Sequence, residues 1–484
     1  MKPLRKYSAL ICLILSLAML SSCGLVVINY PKKDTDTSAV TETEKVTETE
    51  ADPGYDVIKR DTSVRARAFL RTIDSEDYTG AVIKIASVEP MLTSVDEAPQ
   101  IVAKAVARRN QVVKDKLGVT FVTEATDTEK LFAELSASAK SGMYYTDLMI
   151  LPQSSIASFA ASGILFNLRS MPKLKLNEEY FNASSVAAGA AGYEAYAIAS
   201  EATLTPTSLY AMYFSATRLN DLGIPLPYNT AKAGKWTWDE YYKLTADVGD
   251  WTKLTLGDCG DYAVDAAFAS VGGRFINAGV MTKPTVAVTT EGSTPLLDII
   301  LPAFRDEKAI TGEWASSQAF RDSSVFMIDT LDRMASLTPK AGDTMGRWGI
   351  LPMPKASADV EYITLASPNA LFMAVPSILA SDERTALVLR AICAASADRI
   401  PYALMEHTQN TMLTDNESGL MLELIMKNIR YDFLYTAMLT YPEAQNGSNY
   451  AVRNTVLNGT DLTYGLDTNV PNSEKVLQDA FPMA

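Results

Sequence analysis

A glutamine and two serines, Gln153-Ser154-Ser155, follow the apolar stretch Asp147–Leu151 (DLMIL) and open a helical pattern. Side-chain amide, hydroxyls and the free N–H groups of a helix start converge at such a place, and open parallel sheets take ligands outside the carboxyl ends of their strands. The same serines suit ordinary helix capping, and the sequence leaves both uses open. Three acids occupy comparable positions. Glu89 follows the first expected strand, Asp265 follows a strand expected around Tyr262–Val264, and Asp329 ends the strand that contains Met327. Each carboxylate can accept hydrogen bonds from a polar solute, and each equally suits a loop or a cap. Nothing in this set resembles a reaction centre. The single histidine, His407, has no nucleophile or carboxylate motif beside it, which reads as a packing or surface residue. One histidine also excludes a His-rich zinc site, and no G-x-S-x-G, P-loop, CxxC or HExxH pattern occurs. No catalytic residue, metal or cofactor is expected.

The elements that would position these residues alternate. Ala81–Val88 reads as a strand, Ala98–Leu117 as an amphipathic helix stopped by Gly118, and Val119–Thr123 as a second strand. Thr128–Lys140 is a second expected helix, and Asp147–Leu151 is nearly all apolar, as a central parallel strand should be. This β-α-β-α-β-α series predicts a parallel sheet with helices on both faces. Tyr196–Ala202 and Leu209–Phe214 follow as strands; Val325–Ile328, Trp348–Leu351 and Tyr362–Val375 add more, and Glu383–Ala397 and Glu417–Leu439 read as helices. Thr237-Trp238-Asp239-Glu240 has the spacing of a reciprocal capping box, with Trp236 and Tyr241 as a hydrophobic staple. Its tryptophans are therefore read as structural. The expected architecture is α/β, with two lobes and a chain that crosses between them more than once.

Several segments, in order, resemble the family 1 extracellular solute-binding proteins of ABC importers, the branch that includes maltodextrin-binding proteins. They are Asp147–Leu165, Tyr196–Ala202 (YAIASEA), Asn220–Glu240 with its Thr-Trp-Asp-Glu signature, Phe320–Met327 and Trp348–Pro354. The resemblance implies a two-lobe, type II periplasmic-binding-protein-like fold with a cleft between lobes and interleaved crossovers. It implies lobe 1 as residues 56–201 plus 355–404, and lobe 2 as 202–354 plus 405–484. It also matches Glu201 to a carboxylate that hydrogen-bonds sugar hydroxyls, and a carboxylate accepts well from two neighbouring hydroxyls; a hinge or surface role for Glu201 is the alternative. The chain departs from the family pattern in the pocket. Arg333 and Leu151 stand where maltodextrin-binding proteins place stacking tryptophans.

Residues 1–22 have early cations (Lys2, Arg5, Lys6), an apolar run and then small residues, the order of a secretory signal. Leu20-Ser21-Ser22-Cys23 resembles a bacterial lipobox, so Cys23 is expected to become the diacylated first residue, giving two-chain membrane anchoring. Residues 23–55 are Thr-, Asp- and Glu-rich and read as a disordered tether. Cys259 and Cys393 are left either bonded or free. The formal net charge of −14, with no basic run, argues against nucleic-acid partners. The expectation is a monomeric, lipid-anchored binding protein on the extracellular face of a Gram-positive cell membrane. It would capture a small solute, with a mono- or oligosaccharide favoured, and deliver it to ABC permease subunits. A secreted carbohydrate-active enzyme, with acids such as Glu201 and Asp265 paired, and a non-transport surface binding protein are the rival readings.

Overall fold

The computed structural model describes residues 64–480, apart from residues 192, 280–281, 338–345, 433 and 436–445. The signal segment, Cys23 and the tether expected at 23–55 lie outside the described residues.

The first half of the chain follows its periodicity: β1 (Val82–Ser87), α1 (Gln100–Leu117), β2 (Thr120–Ala125), α2 (Thr128–Ser141), β3 (Leu148–Pro152) and α3 (Ile156–Ala161). Helix α1 stops at Gly118, whose φ of 76° no branched residue adopts cheaply, and where a Cβ would meet the Thr79 nitrogen at 2.7 Å. Helix α2 starts at Asp127, which accepts the Lys130 N–H at 2.8 Å. Strands β1 and β3 alternate between two cores, as a period of two requires. Ile83, Ile85, Leu148 and Ile150 face Val102, Val106 and Val113 of α1; Ala86, Met149 and Leu151 face Leu131 and Leu135 of α2 and Phe159 of α3. Asp147, at the start of β3, is buried and accepts from the Lys84 N–H (2.9 Å), the Tyr144 hydroxyl (2.6 Å) and Arg384 (3.3 Å).

After β4 (Ala197–Ile198) the chain enters a second sheet. It contributes β5 (Tyr210–Ser215), α4 (Trp238–Thr245), β6 (Thr252–Leu256), α5 (Tyr262–Ser270), β7 (Ala309–Ile310), β8 (Ser324–Thr330) and β9 (Trp348–Leu351). The strand expected at Tyr262–Val264 is the first turn of α5. The segment Ala263–Ser270 is buried on every side, so it lacks the polar face that marks a surface helix. Thr237 caps α4 by accepting the Glu240 N–H at 3.2 Å, but Glu240 turns to Lys243 (2.6 Å), so only half of the capping box forms. Trp236 and Tyr241 meet edge to face at 6.4 Å, and Trp236 and Trp238 are fully buried.

The chain then passes β10 (Thr364–Leu365) and returns to the first sheet as β11 (Leu371–Ala374), followed by α6 (Asp382–Ser396) and α7 (Arg399–Thr411). It ends on the second lobe with α8 (Asn416–Lys427), β12 (Ile429–Arg430), α9 (Ser448–Asn458) and α10 (Leu462–Ala480). The helix expected over Glu417–Leu439 stops at Lys427, because the Asn428 carbonyl accepts the Thr364 N–H (3.0 Å) and β12 pairs with β10.

The first sheet has the order β2-β1-β3-β11-β4 and the second β7-β6-β8-β5-β9. Strands β1, β2 and β3 are mutually parallel, as are β6, β7 and β8. The chain passes between the sheets three times, at 199–209, 366–370 and 412–415. The first two passages are tied together. The Ser367 N–H donates to the Ser208 carbonyl (2.8 Å) and the Ala366 N–H to the Arg430 carbonyl (2.9 Å), joining segments 208–209, 364–367 and 428–430. Lys355, expected in the first lobe, is hydrogen-bonded through its backbone to Trp236 and Trp238 of the second.

Candidate functional site

The parallel strands of each sheet end toward these passages. On the first sheet, the Gln153 N–H donates to the Ala370 carbonyl (2.7 Å) and the Ser154 N–H to the Pro368 carbonyl (3.1 Å). On the second, the Leu331 N–H, just past β8, donates to the Leu209 carbonyl (2.9 Å). The first edge is thereby anchored to segment 366–370 and the second to Leu209, two segments that are themselves joined by Ser367 and Ser208, at the strand ends where open α/β sheets place ligands.

Glu89 and Gln153 belong to one edge. Ser87 lies beside Ile150 in the parallel register, so continuing the strands brings Glu89 level with Pro152. Burial raises the Glu89 pKa, and the Met91 N–H opposes that shift. Gln153 is fully buried. Its Nε2 donates to the Ser367 carbonyl (2.5 Å) and sits 3.4 Å from the Ala366 carbonyl, which fixes the amide orientation and leaves Oε1 without a partner. Ser154 is buried in the same 3₁₀ turn, and the Ser155 hydroxyl donates to the Pro152 carbonyl at 2.8 Å. Neither serine side chain caps α3.

Asp329 dominates the other edge. It is fully buried at the end of β8 and accepts the N–H groups of Asp258 and Thr330, each at 2.7 Å. Burial pushes its carboxyl up to about 6, against the pull of Arg333. Arg333 lies among three carboxylates: Asp258 at 2.9 Å, and Asp329 and Asp332 at 3.3 Å each. Gly257 makes this cluster possible, since a Cβ there would stand 2.0 Å from an Asp329 oxygen. Among the described residues no group of three or more His, Cys, Asp or Glu side chains is placed to hold a metal ion.

Asp265 is not at either edge. It sits inside α5, where Arg453 grips both of its oxygens and the Tyr435 hydroxyl donates to it at 2.8 Å. Its position is that of a core ion pair, with the guanidinium 4.4 Å over the Tyr262 ring.

Glu201 lies on the first passage and lines a cavity of 230 Å³ together with Arg65, Asn182, Ser200 and Tyr431. Its carboxylate receives Arg65 at 2.7 Å and the Asp398 N–H; burial raises its pKa while Arg65 opposes. A second cavity, of 340 Å³, shares Lys427 with it and is lined by Lys232, Lys355 and Tyr362. Glu89, Gln153 and Asp329 line neither of these two cavities. The structure therefore gathers Glu89 with Gln153–Ser155, puts Asp329 on the facing lobe, holds Glu201 at the passage and withdraws Asp265 into the core. Sequence reasoning missed Asp258, Asp332 and Arg65. The glycine before Asp258, at the end of apolar Leu254–Leu256, was the one local signal for the first; Arg65 gave none.

Cys259 and Cys393 are both free. His407 is half-buried on α7, and burial lowers its pKa.

No protein-family model matches the chain, and no curated protein matches it. Solved structures do. The cyclic α-maltosyl-1,6-maltose binding protein of Arthrobacter globiformis superposes with a TM-score of 0.57 at 14% identity, over 82% of this chain and 99% of that one. A family 1 extracellular solute-binding protein from Bifidobacterium longum subsp. infantis gives 0.52 at 11% identity, over 82% of this chain and 100% of the other. The chain has the two-lobe fold of the type II periplasmic binding proteins. Each lobe has one carboxyl edge, Glu89 to Ser155 on the first and Asp258 to Arg333 on the second, of the kind at which open α/β sheets take ligands.

Proposed function

We propose that this protein captures a small polar solute, a carbohydrate, between its lobes and passes it unchanged to the permease of an ABC importer. The observation that carries the reading is the pair of polar carboxyl edges, one per lobe, both anchored to the linking segments 208–209 and 366–370. A solute touching both edges favours the closed arrangement by the contacts it makes only there. Glu89, Gln153, Ser154, Ser155 and Asp329 are the proposed contacts at the edges, and Glu201 contributes from the passage. Although Arg65 and the Asp398 N–H use two of its acceptor sites, a carboxylate has about four. Asp265 acts on the site only by holding α5 in place.

Binding without turnover is part of the proposal. The carboxylate pair that a glycosidase would need has no counterpart in Glu201 and Asp265, because the oxygens of Asp265 are taken by Arg453 and Tyr435. Cys23 is proposed as the lipid attachment that keeps the protein at the outer face of the membrane, with the acidic segment after it as a leash.

Thermal unfolding of the mature chain with maltodextrins and other oligosaccharides tests the reading. A bound solute raises stability by RT ln(1 + [L]/Kd), about 2.7 kcal/mol at a hundredfold excess over Kd. Recovery of the sugar intact after incubation is expected; cleaved products would point to an enzyme instead. Expression of Cys23→Ala should move the protein from the membrane fraction to the medium, and its retention on membranes would remove the lipid from the account.

A further inference from the structure

The groups at the two edges are unequally supplied with partners. Gln153 spends its donor on the Ser367 carbonyl, and its Oε1 is left buried and unbonded. Glu89 receives the Met91 N–H, and no ion pair to it occurs among the described residues. The lysine of β1, Lys84, is taken by Glu124 at 2.7 Å. Gln153 Oε1 and the Glu89 carboxylate are both acceptors, and the Ser154 hydroxyl beside them can donate or accept. On the other lobe, one guanidinium meets three carboxylates, Asp258, Asp329 and Asp332, so the cluster keeps a negative excess although the Arg333 Nε itself has no hydrogen-bond partner. Arg430, on β12, gives its Nη1 to the carbonyls of Ala269 (3.4 Å) and Gly273 (3.0 Å).

An acceptor buried without a donor costs about 1–3 kcal/mol, which a solute N–H or O–H recovers. A solute carboxylate or phosphate would bring further acceptors to Gln153 and a like charge to Glu89, which is repulsive in a partly dry site. We infer that the captured solute is a polyhydroxylated amine, an amino sugar whose ammonium pairs with Glu89 and whose hydroxyls donate to Gln153 Oε1 and the aspartate edge. This rests on the solute-capture reading and narrows it. Anionic sugars are excluded, and neutral sugars bind more weakly because they leave Glu89 without a counter-charge.

Calorimetric titration of the full mature chain with glucosamine, glucose and glucuronate at pH 7, and with their β-1,4-linked dimers, tests the inference. Each series keeps the ring and changes the charge. The amine should bind about tenfold or more tighter than the neutral sugar, a difference of about 1.4 kcal/mol, and the acid should not bind detectably. If neutral sugar binds and the amine gains nothing over it, or the acid matches it, solute capture stands and this inference falls. If no sugar of any charge binds, both fall together. Glu89→Gln removes the charge at nearly constant shape. It should erase the amine's advantage, bringing amine and neutral sugar to within about threefold of each other. Equal losses for amine and neutral sugar, with an unchanged apo melting temperature, would overturn the assignment of the ammonium to Glu89.

Discussion

Asp329 is a carboxylate in a dry place, and its proton is coupled to stability. Its pKa rises from an ordinary 3.8 to about 6 on folding, because burial outweighs Arg333. A raised carboxyl stabilises the fold fully below pH 3.8 and loses that contribution as pH rises through about 6, so charging it costs about 3 kcal/mol. Urea unfolding of wild type and Asp329→Asn from pH 4 to 7 should show the stability gap between them changing across this window, in the variant's favour as pH rises; a gap constant with pH would mean that Asp329 stays ionised throughout. Asp265 makes the opposite demand. It neutralises Arg453 in the core, and Asp265→Ala strands that guanidinium, so a loss of about 3–5 kcal/mol is expected in denaturant titration. Glu201→Ala leaves the half-exposed Arg65 with Asp398, 2.5 Å away, and should cost only about 1 kcal/mol. These roles explain what the sequence showed of the site. The placement of Glu89 and Gln153 just past strand ends was legible because each follows a strand-like stretch. The function of Asp265 was not, since its partner is 188 residues away, and the Arg65 that meets Glu201 is 136 residues away.

At the scale of elements, local signals and local structure agree where a cap or a stop residue was present. Helices α1 and α2 carry Gly118 and Asp127, and their limits follow from those residues. Where a segment is apolar all round the period is lost, which is why α5 reads as a strand in sequence. The end of α8 was hidden for another reason: β10, more than sixty residues earlier in the chain, captures the backbone at Asn428. The half-formed box at α4 gives a measurable consequence. Thr237→Ala removes the only side-chain cap and should destabilise the protein by about 1 kcal/mol in thermal or urea unfolding. Glu240→Ala should cost less than about 0.5 kcal/mol, because Glu240 meets Lys243 on the surface and not the Thr237 N–H.

Across the whole molecule, alternation of strand and helix was enough to expect two α/β lobes, while the interleaving depends on strands that return late, above all Leu371–Ala374 inserted between β3 and β4. One core cluster runs from Met149, Leu151 and Phe372 of the first sheet into the second, and Phe372 meets Tyr431 edge to face at 5.1 Å. The three backbone passages then have a consequence for cleavage. A protease site inserted at Met412–Asp415 would sever one link and leave two, so the nicked protein should elute as one species from gel filtration and separate into two bands only in detergent. Neither lobe is a contiguous stretch of polypeptide, and no single cut, wherever it is made, can hand either one its complete sheet and helices as a free-standing fragment.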